Sequence, residues 1–128
     1  MEESLIQHRL QRARETLEEA RLLAEIKHWN AAVNRLYYAC FYAVSALLAS
    51  RTISASKHSQ VRSLFSQHFV KTGLMSKDQA QLFNTLYDLR QESDYQDFFS
   101  ADPQHVMPWL DDVNEFLQST RDLIARLK

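Results

Sequence analysis

The run NAAVNRLYYACFYAVSALLAS, Asn30 to Ser50, carries no acidic side chain, no glycine and no proline. Its apolar residues recur at helical spacing in rows that cover most of the circumference: Tyr37, Phe41, Val44, Leu48; Leu36, Cys40, Ala43, Leu47; and Ala32, Ala39, Ala46. A helix that is apolar nearly all round must be enclosed by neighbours, so this segment is read as the core helix of a bundle. Its remaining polarity forms a narrow seam of Asn34, Arg35, Tyr38, Tyr42 and Ser45, in which residues three or four positions apart touch. A bilayer span needs about twenty apolar residues, the same length. Asn34 and Arg35 within the run, with a tyrosine-rich face, argue against a span because intramembrane charge is costly.

A single glycine and two prolines among 128 residues leave little material for hairpins, which predicts an all-α chain. The length suits one domain over residues 1–128, large enough to bury a core without disulfides or metal. Cys40, the one cysteine, sits on an apolar row and reads as a small buried hydrophobe. The N-terminus is charged and amphipathic, unlike a signal peptide, so a cytoplasmic location is expected.

The net charge of -1 conceals a segregation. No acid lies between Glu25 and Asp78, an interval that holds Lys27, Arg35, Arg51, Lys57, Arg62, Lys71 and Lys77. From Asp78 to Asp122 acids dominate, opposed by Arg90 and Arg121. Such a division either makes a basic surface for phosphates or lets two halves of a bundle, or two subunits, attract each other.

Along the chain, a first helix is expected from Ser4 to Ile26, with Ile6, Leu10, Ala13, Leu17, Ala20 and Ala24 inward. Its charged face, with Arg9, Arg12 and Glu19, reads as solvated surface. Asn30 is a plausible N-cap of the core helix. Arg51 to Lys57 reads as a loop. A third helix follows from His58 to Val70, stopping at Gly73 in a left-handed conformation. Lys57 and His58 lie at its N-terminal end, where backbone N–H groups favour an anion. Ser76 caps a fourth helix bearing Leu82, Phe83, Leu86, Tyr87 and Leu89, and Arg90 points toward the edge of the core with Asp94 as its expected partner. Asp102 and Pro103 open a last helix, in which Pro108 should bend the first turns or delay the start.

The five histidines are scattered, so no metal cage is expected, and one glycine excludes a phosphate-cradling loop. No cofactor is expected. His58, Tyr38, Tyr95 and Asp94 are the groups available for acid–base chemistry. Taken in order, NRLYYACFYAVSALL, KHSQVRSLFSQHFVKTG and LYDLRQESDYQDF resemble the HEPN domain family, named for higher eukaryotes and prokaryotes nucleotide-binding, in its compact stand-alone prokaryotic branch.

The resemblance implies an up-and-down bundle of about five helices that forms homodimers, with the helix-four motifs of two subunits around a shared cleft. Many members are toxins acting as metal-independent endoribonucleases. They work beside a minimal nucleotidyltransferase antitoxin that adenylylates tyrosine; other members bind nucleotides or serve as inactive scaffolds. The ribonuclease subset pairs an Arg, which stabilises phosphate charge, with a His a few residues later that handles the ribose 2′-hydroxyl proton. Arg90 matches the Arg, but the following positions hold Tyr95, Gln96 and Asp97, with no His.

The candidate catalytic residues are therefore Arg90 and Tyr95. Asn34, Arg35, Tyr38, Lys57, His58 and Asp94 are candidates for a nucleotide or phosphate cleft, with His58 a substitute proton acceptor across it. Three readings stand: a toxin-like nucleotide- or RNA-binding dimer, a scaffold in which Arg90, Asp94 and Tyr95 form a structural network, and a non-specific nucleic-acid binder using the basic middle.

Overall fold

The computed structural model describes residues 2–95 and 99–127, with side chains for residues 3–92 and 99–127. Helix α1 spans Glu2–Glu25, α2 Trp29–Ser50, α3 His58–Phe65, α4 Lys77–Tyr95 and α5 Pro103–Arg126, and a π-helical turn, Ser66–Val70, continues α3. No strand occurs among the described residues, and no helix there is long and apolar enough to cross a membrane. The fold is an all-α bundle.

Helix α2 is the axis of that bundle, as its composition requires. It packs against α1, α3, α4 and α5, and its alanines let those neighbours approach closely. Leu36, Tyr37, Ala39, Cys40, Ala43, Val44 and Leu47 on it are fully buried. The α1 stripe Ile6, Leu10, Ala13, Leu17, Ala20 and Ala24 is buried against it, and Phe65, Phe83 and Phe116 meet beside it with ring centroids 5.4–6.1 Å apart.

The ends of the helices show how the chain turns with one glycine. After α1, Lys27 N–H bonds Ala24 O at 3.0 Å and His28 N–H bonds Leu23 O at 2.9 Å, with Lys27 at φ 62°. After α2 the same pattern recurs, Thr52 N–H to Ala49 O and Ile53 N–H to Leu48 O, with Thr52 at φ 55°. Both are left-handed helix stops at which glycine is the usual residue. Gly73, at φ 80°, provides the expected left-handed stop after the π-helical turn.

Ser76 caps α4, accepting from Gln79 N–H at 3.1 Å, and Asp102 caps α5, accepting from Gln104 N–H at 2.9 Å. Helix α5 starts at Pro103, as read from the sequence, and runs on through Pro108 to Arg126; Pro108 is exposed, so water can reach the carbonyl that its missing donor leaves. One detail departs from the sequence reading. Asn30 is not the N-cap of α2, which begins one residue earlier. Its amide instead donates to Phe99 O at 2.9 Å and accepts from Ala101 N–H at 2.7 Å, clasping the backbone that leads into α5.

Candidate functional site

The polar seam of α2 meets α1 along one edge and the facing pair of α3 and α4 along the other. Against α1, Arg9 Nη1 donates to Ser45 O at 3.0 Å and Arg12 lies 5.2 Å from the Tyr42 ring centroid. Arg35 donates to Asn34 Oδ1 through Nε at 3.0 Å and Nη2 at 2.7 Å, and reaches Glu19 at 3.5 Å. Arg9 and Arg12 are thus half-buried against the seam rather than fully solvated, while Glu19 stays exposed, as expected, and touches the seam through Arg35.

On the other edge, Arg90 arrives from α4. It is half-buried, as helical spacing from Leu86 and Tyr87 requires, and its Nη2 donates to the Tyr38 hydroxyl at 3.2 Å. Its guanidinium carbon lies 5.6 Å from the ring centroids of both Tyr37 and Tyr38. Arg35 stands 5.0 Å from the same Tyr38 ring. Tyr38 is therefore held by two guanidinium groups, both within cation–π range.

His58, the first residue of α3, enters the same cluster. Its ring stacks on Phe41 with centroids 4.4 Å apart and lies edge-on to Tyr38 at 5.7 Å. Its Nδ1 is 2.8 Å from the Tyr37 hydroxyl. Burial, with the nearby positive charge of Arg90, lowers the His58 pKa below its ordinary value, so the neutral imidazole is favoured. Burial pushes the Tyr37 phenol well above its ordinary value, against a smaller opposing effect of Arg90, so it stays protonated. Two neutral groups sharing one hydrogen bond result, with the tautomer of His58 deciding which donates.

Of the residues singled out from the sequence, the fold brings Asn34, Arg35, Tyr38, His58 and Arg90 together. Lys57 is exposed beside His58, in extended conformation at the head of α3. The side chains of Asp94 and Tyr95, and residues 96–98, lie outside the described residues. Tyr37 is the member that sequence reasoning missed: its place on an apolar row accounts for its buried ring, stacked on Phe83 at 5.8 Å, but not for its hydroxyl. The available signal was its adjacency to Tyr38, which puts two phenols about 100° apart on one turn.

Elsewhere, a cavity of about 260 Å³ lies between the start of α1 and the end of α2, lined by Leu5, Arg9, Leu48, Thr52, Ile53 and Val61. Its lining includes Ser45, so it opens on the α1 edge of the seam. Among the described residues no group of three His, Cys, Asp or Glu side chains could hold a metal ion.

The HEPN domain model matches residues 6–123, nearly the whole chain. The chain belongs to the HEPN domain family. Among relatives, a UPF0332 protein of Thermotoga maritima is 39% identical over 126 residues, covering 98% of this HEPN chain and 96% of that protein. A Methanocaldococcus jannaschii protein named "Putative toxin MJ0142" is 35% identical over 67% of this chain and 58% of its own length. A second protein of that organism, "Putative toxin MJ0605", is 34% identical over 70% of this chain and 67% of its own.

Proposed function

We propose that this HEPN protein is toxin-like and binds a nucleotide or RNA phosphate at the Arg90–Tyr38–Tyr37–His58 cluster. The observation that carries the reading is the position of Arg90: a half-buried cation oriented by the Tyr38 hydroxyl and two phenol rings, with an imidazole in the same cluster. A guanidinium held in this way offers planar donors to a phosphate, and the half-buried faces of Tyr38 and Phe41 suit a base or ribose. The names of the two Methanocaldococcus jannaschii relatives support the toxin-like part.

Ribonuclease chemistry is a second reading, favoured by the His58–Tyr37 bond. The imidazole absent after Arg90 in α4 is supplied here from the head of α3. His58, neutral near pH 7, takes the 2′-hydroxyl proton while Arg90 balances charge on the phosphate. Homodimerisation, and a minimal nucleotidyltransferase as antitoxin, belong to the same proposal through the family resemblance.

The test is thermal stability with and without ATP, GMP and a short RNA, for the natural protein and Arg90→Ala. A ligand-dependent rise in Tm that vanishes in a folded variant supports the site. No rise with any ligand, together with a variant that melts much earlier, favours the scaffold reading, in which Arg90 only locks helices. RNA cleavage lost in both His58→Ala and Arg90→Ala supports the second reading, and cleavage untouched by His58→Ala removes it.

A further inference from the structure

Helices α3 and α4 face each other with matched stripes. His58 and Arg62 on α3 and Ser66, which opens the π-helical turn, follow at every fourth position, about 12 Å from end to end at about 1.5 Å per residue. On α4, Arg90, Tyr87 and Asn84 follow at every third position, about 9 Å in the opposite sense. The stripes are tied rung by rung. His58 and Arg90 share Tyr37 and Tyr38; the Arg62 guanidinium lies 4.2 Å from the Tyr87 ring centroid; and Ser66 and Asn84 line one groove. That groove, about 530 Å³, is bounded by Arg62, Ser63, Ser66, Gln67, Lys71 and Asn84. Cations and neutral donors make up its wall, and the π-helical turn places Lys71 at its far end.

From this continuity we infer that the groove is a track for the phosphodiester backbone of a single-stranded nucleic acid leading into the Arg90 cluster. The inference rests on the proposed function and extends it from a single phosphate to a polymer. A mononucleotide is served by the Arg90 cluster alone. Arg62 and Lys71 beyond it, with hydroxyl and amide donors between them, fit further phosphates in series. The acid paired with Arg62 is Asp88, 3.7 Å away, with its side chain 68% exposed. Such an exposed pair is weak, so an incoming phosphate replaces the carboxylate on Arg62 at little cost.

The experiment is fluorescence anisotropy of a labelled single-stranded RNA oligonucleotide across a salt series. It uses the full chain, Arg62→Gln/Lys71→Gln, Asp88→Asn and Arg90→Ala, with the fold of each checked by circular dichroism. The double variant should weaken oligonucleotide binding about tenfold and flatten the salt dependence by about 1.4 in log–log slope, while ATP and GMP binding stay unchanged. Asp88→Asn should tighten oligonucleotide binding, a gain that misfolding cannot produce.

Oligonucleotide binding indifferent to both changes, yet lost in Arg90→Ala, overturns the track and leaves the proposed function standing. The reverse pattern, in which the groove variants matter and Arg90→Ala changes neither oligonucleotide nor nucleotide binding, supports the track and removes the proposed function. Equal binding of a DNA oligonucleotide supports backbone recognition. Competition at equal concentration by inorganic phosphate or an acidic peptide overturns it, since the groove is then an isolated anion site or a protein-docking surface.

Discussion

The Tyr37 hydroxyl and His58 Nδ1 lie 2.8 Å apart, joining the most enclosed helix of the bundle to the first residue of α3. The imidazole shares this environment with Arg90 and is held below its ordinary pKa of 6.5 by burial and that charge. A histidine that resists protonation when folded binds fewer protons than the unfolded chain. Its contribution is therefore fully present above pH 6.5 and is lost as pH falls toward its folded pKa. Thermal melts from pH 8 to pH 5 should show this decline, and His58→Gln should flatten that part of the profile. A natural protein whose Tm does not respond to pH in this window contradicts the assignment.

Tyr37→Phe keeps the ring stacked on Phe83 and tilted against Phe41 but removes the hydroxyl from His58. The expected cost is about 1 kcal/mol, that of one hydrogen bond, well below the 3–5 kcal/mol of emptying an aromatic site. Chemical denaturation distinguishes the two. In the same variant the His58 imidazole resonance, followed by NMR, should move while the fold stays intact.

Lys27 and Thr52 occupy left-handed positions at φ 62° and φ 55° in helix stops of the kind glycine fills. Lys27→Gly and Thr52→Gly should each stabilise the chain by roughly 1 kcal/mol, since the backbone penalty of a Cβ there exceeds the entropy glycine adds to the unfolded state. The gain should be larger at Thr52, whose branched side chain tolerates positive φ least. Gly73→Ala, at φ 80°, should destabilise by a similar amount even though nothing lies within 4 Å of the added carbon. Melting temperatures of the three variants check both signs.

Asn30→Ala removes two hydrogen bonds to the connector that leads into α5. A cost of about 1–2 kcal/mol is expected, with faster hydrogen exchange at Ala101 N–H, which then lacks its acceptor. The N-terminal amides of α2 should keep their protection, because Asn30 does not cap them.

Cys40 is fully buried, and burial raises its thiol pKa far above the ordinary value. Thiol reagents should leave it unmodified in the native protein and react once denaturant opens the bundle. Rapid labelling at neutral pH without unfolding contradicts this placement.

Helix positions were legible in the sequence because they depend on short-range patterns. The α1 stripe, the acid-free α2 run, Ser76 and Asp102 as caps and Gly73 as a stop all act within a few residues of themselves. Even the centrality of α2 follows from its composition, since a helix with no solvated face has to be surrounded. The family resemblance rests on the same helices read in order. It singled out Arg90, with His58 as a substitute proton acceptor, and the fold brings both against Tyr37 and Tyr38.

Only the tertiary structure decided what the polar groups do. Arg90 meets Tyr38 across 52 residues and Tyr37 meets His58 across 21, distances at which no periodicity ties one side chain to another. Asn30 was read as a local cap because an asparagine before a helical run has that use; the connector, 69 residues away, took both of its bonding groups instead. Local free energies set where a helix starts and which face is apolar. Which polar atoms then meet depends on how helices dock, and docking is set by the packing of apolar faces that carry no record of the polar partners at their edges.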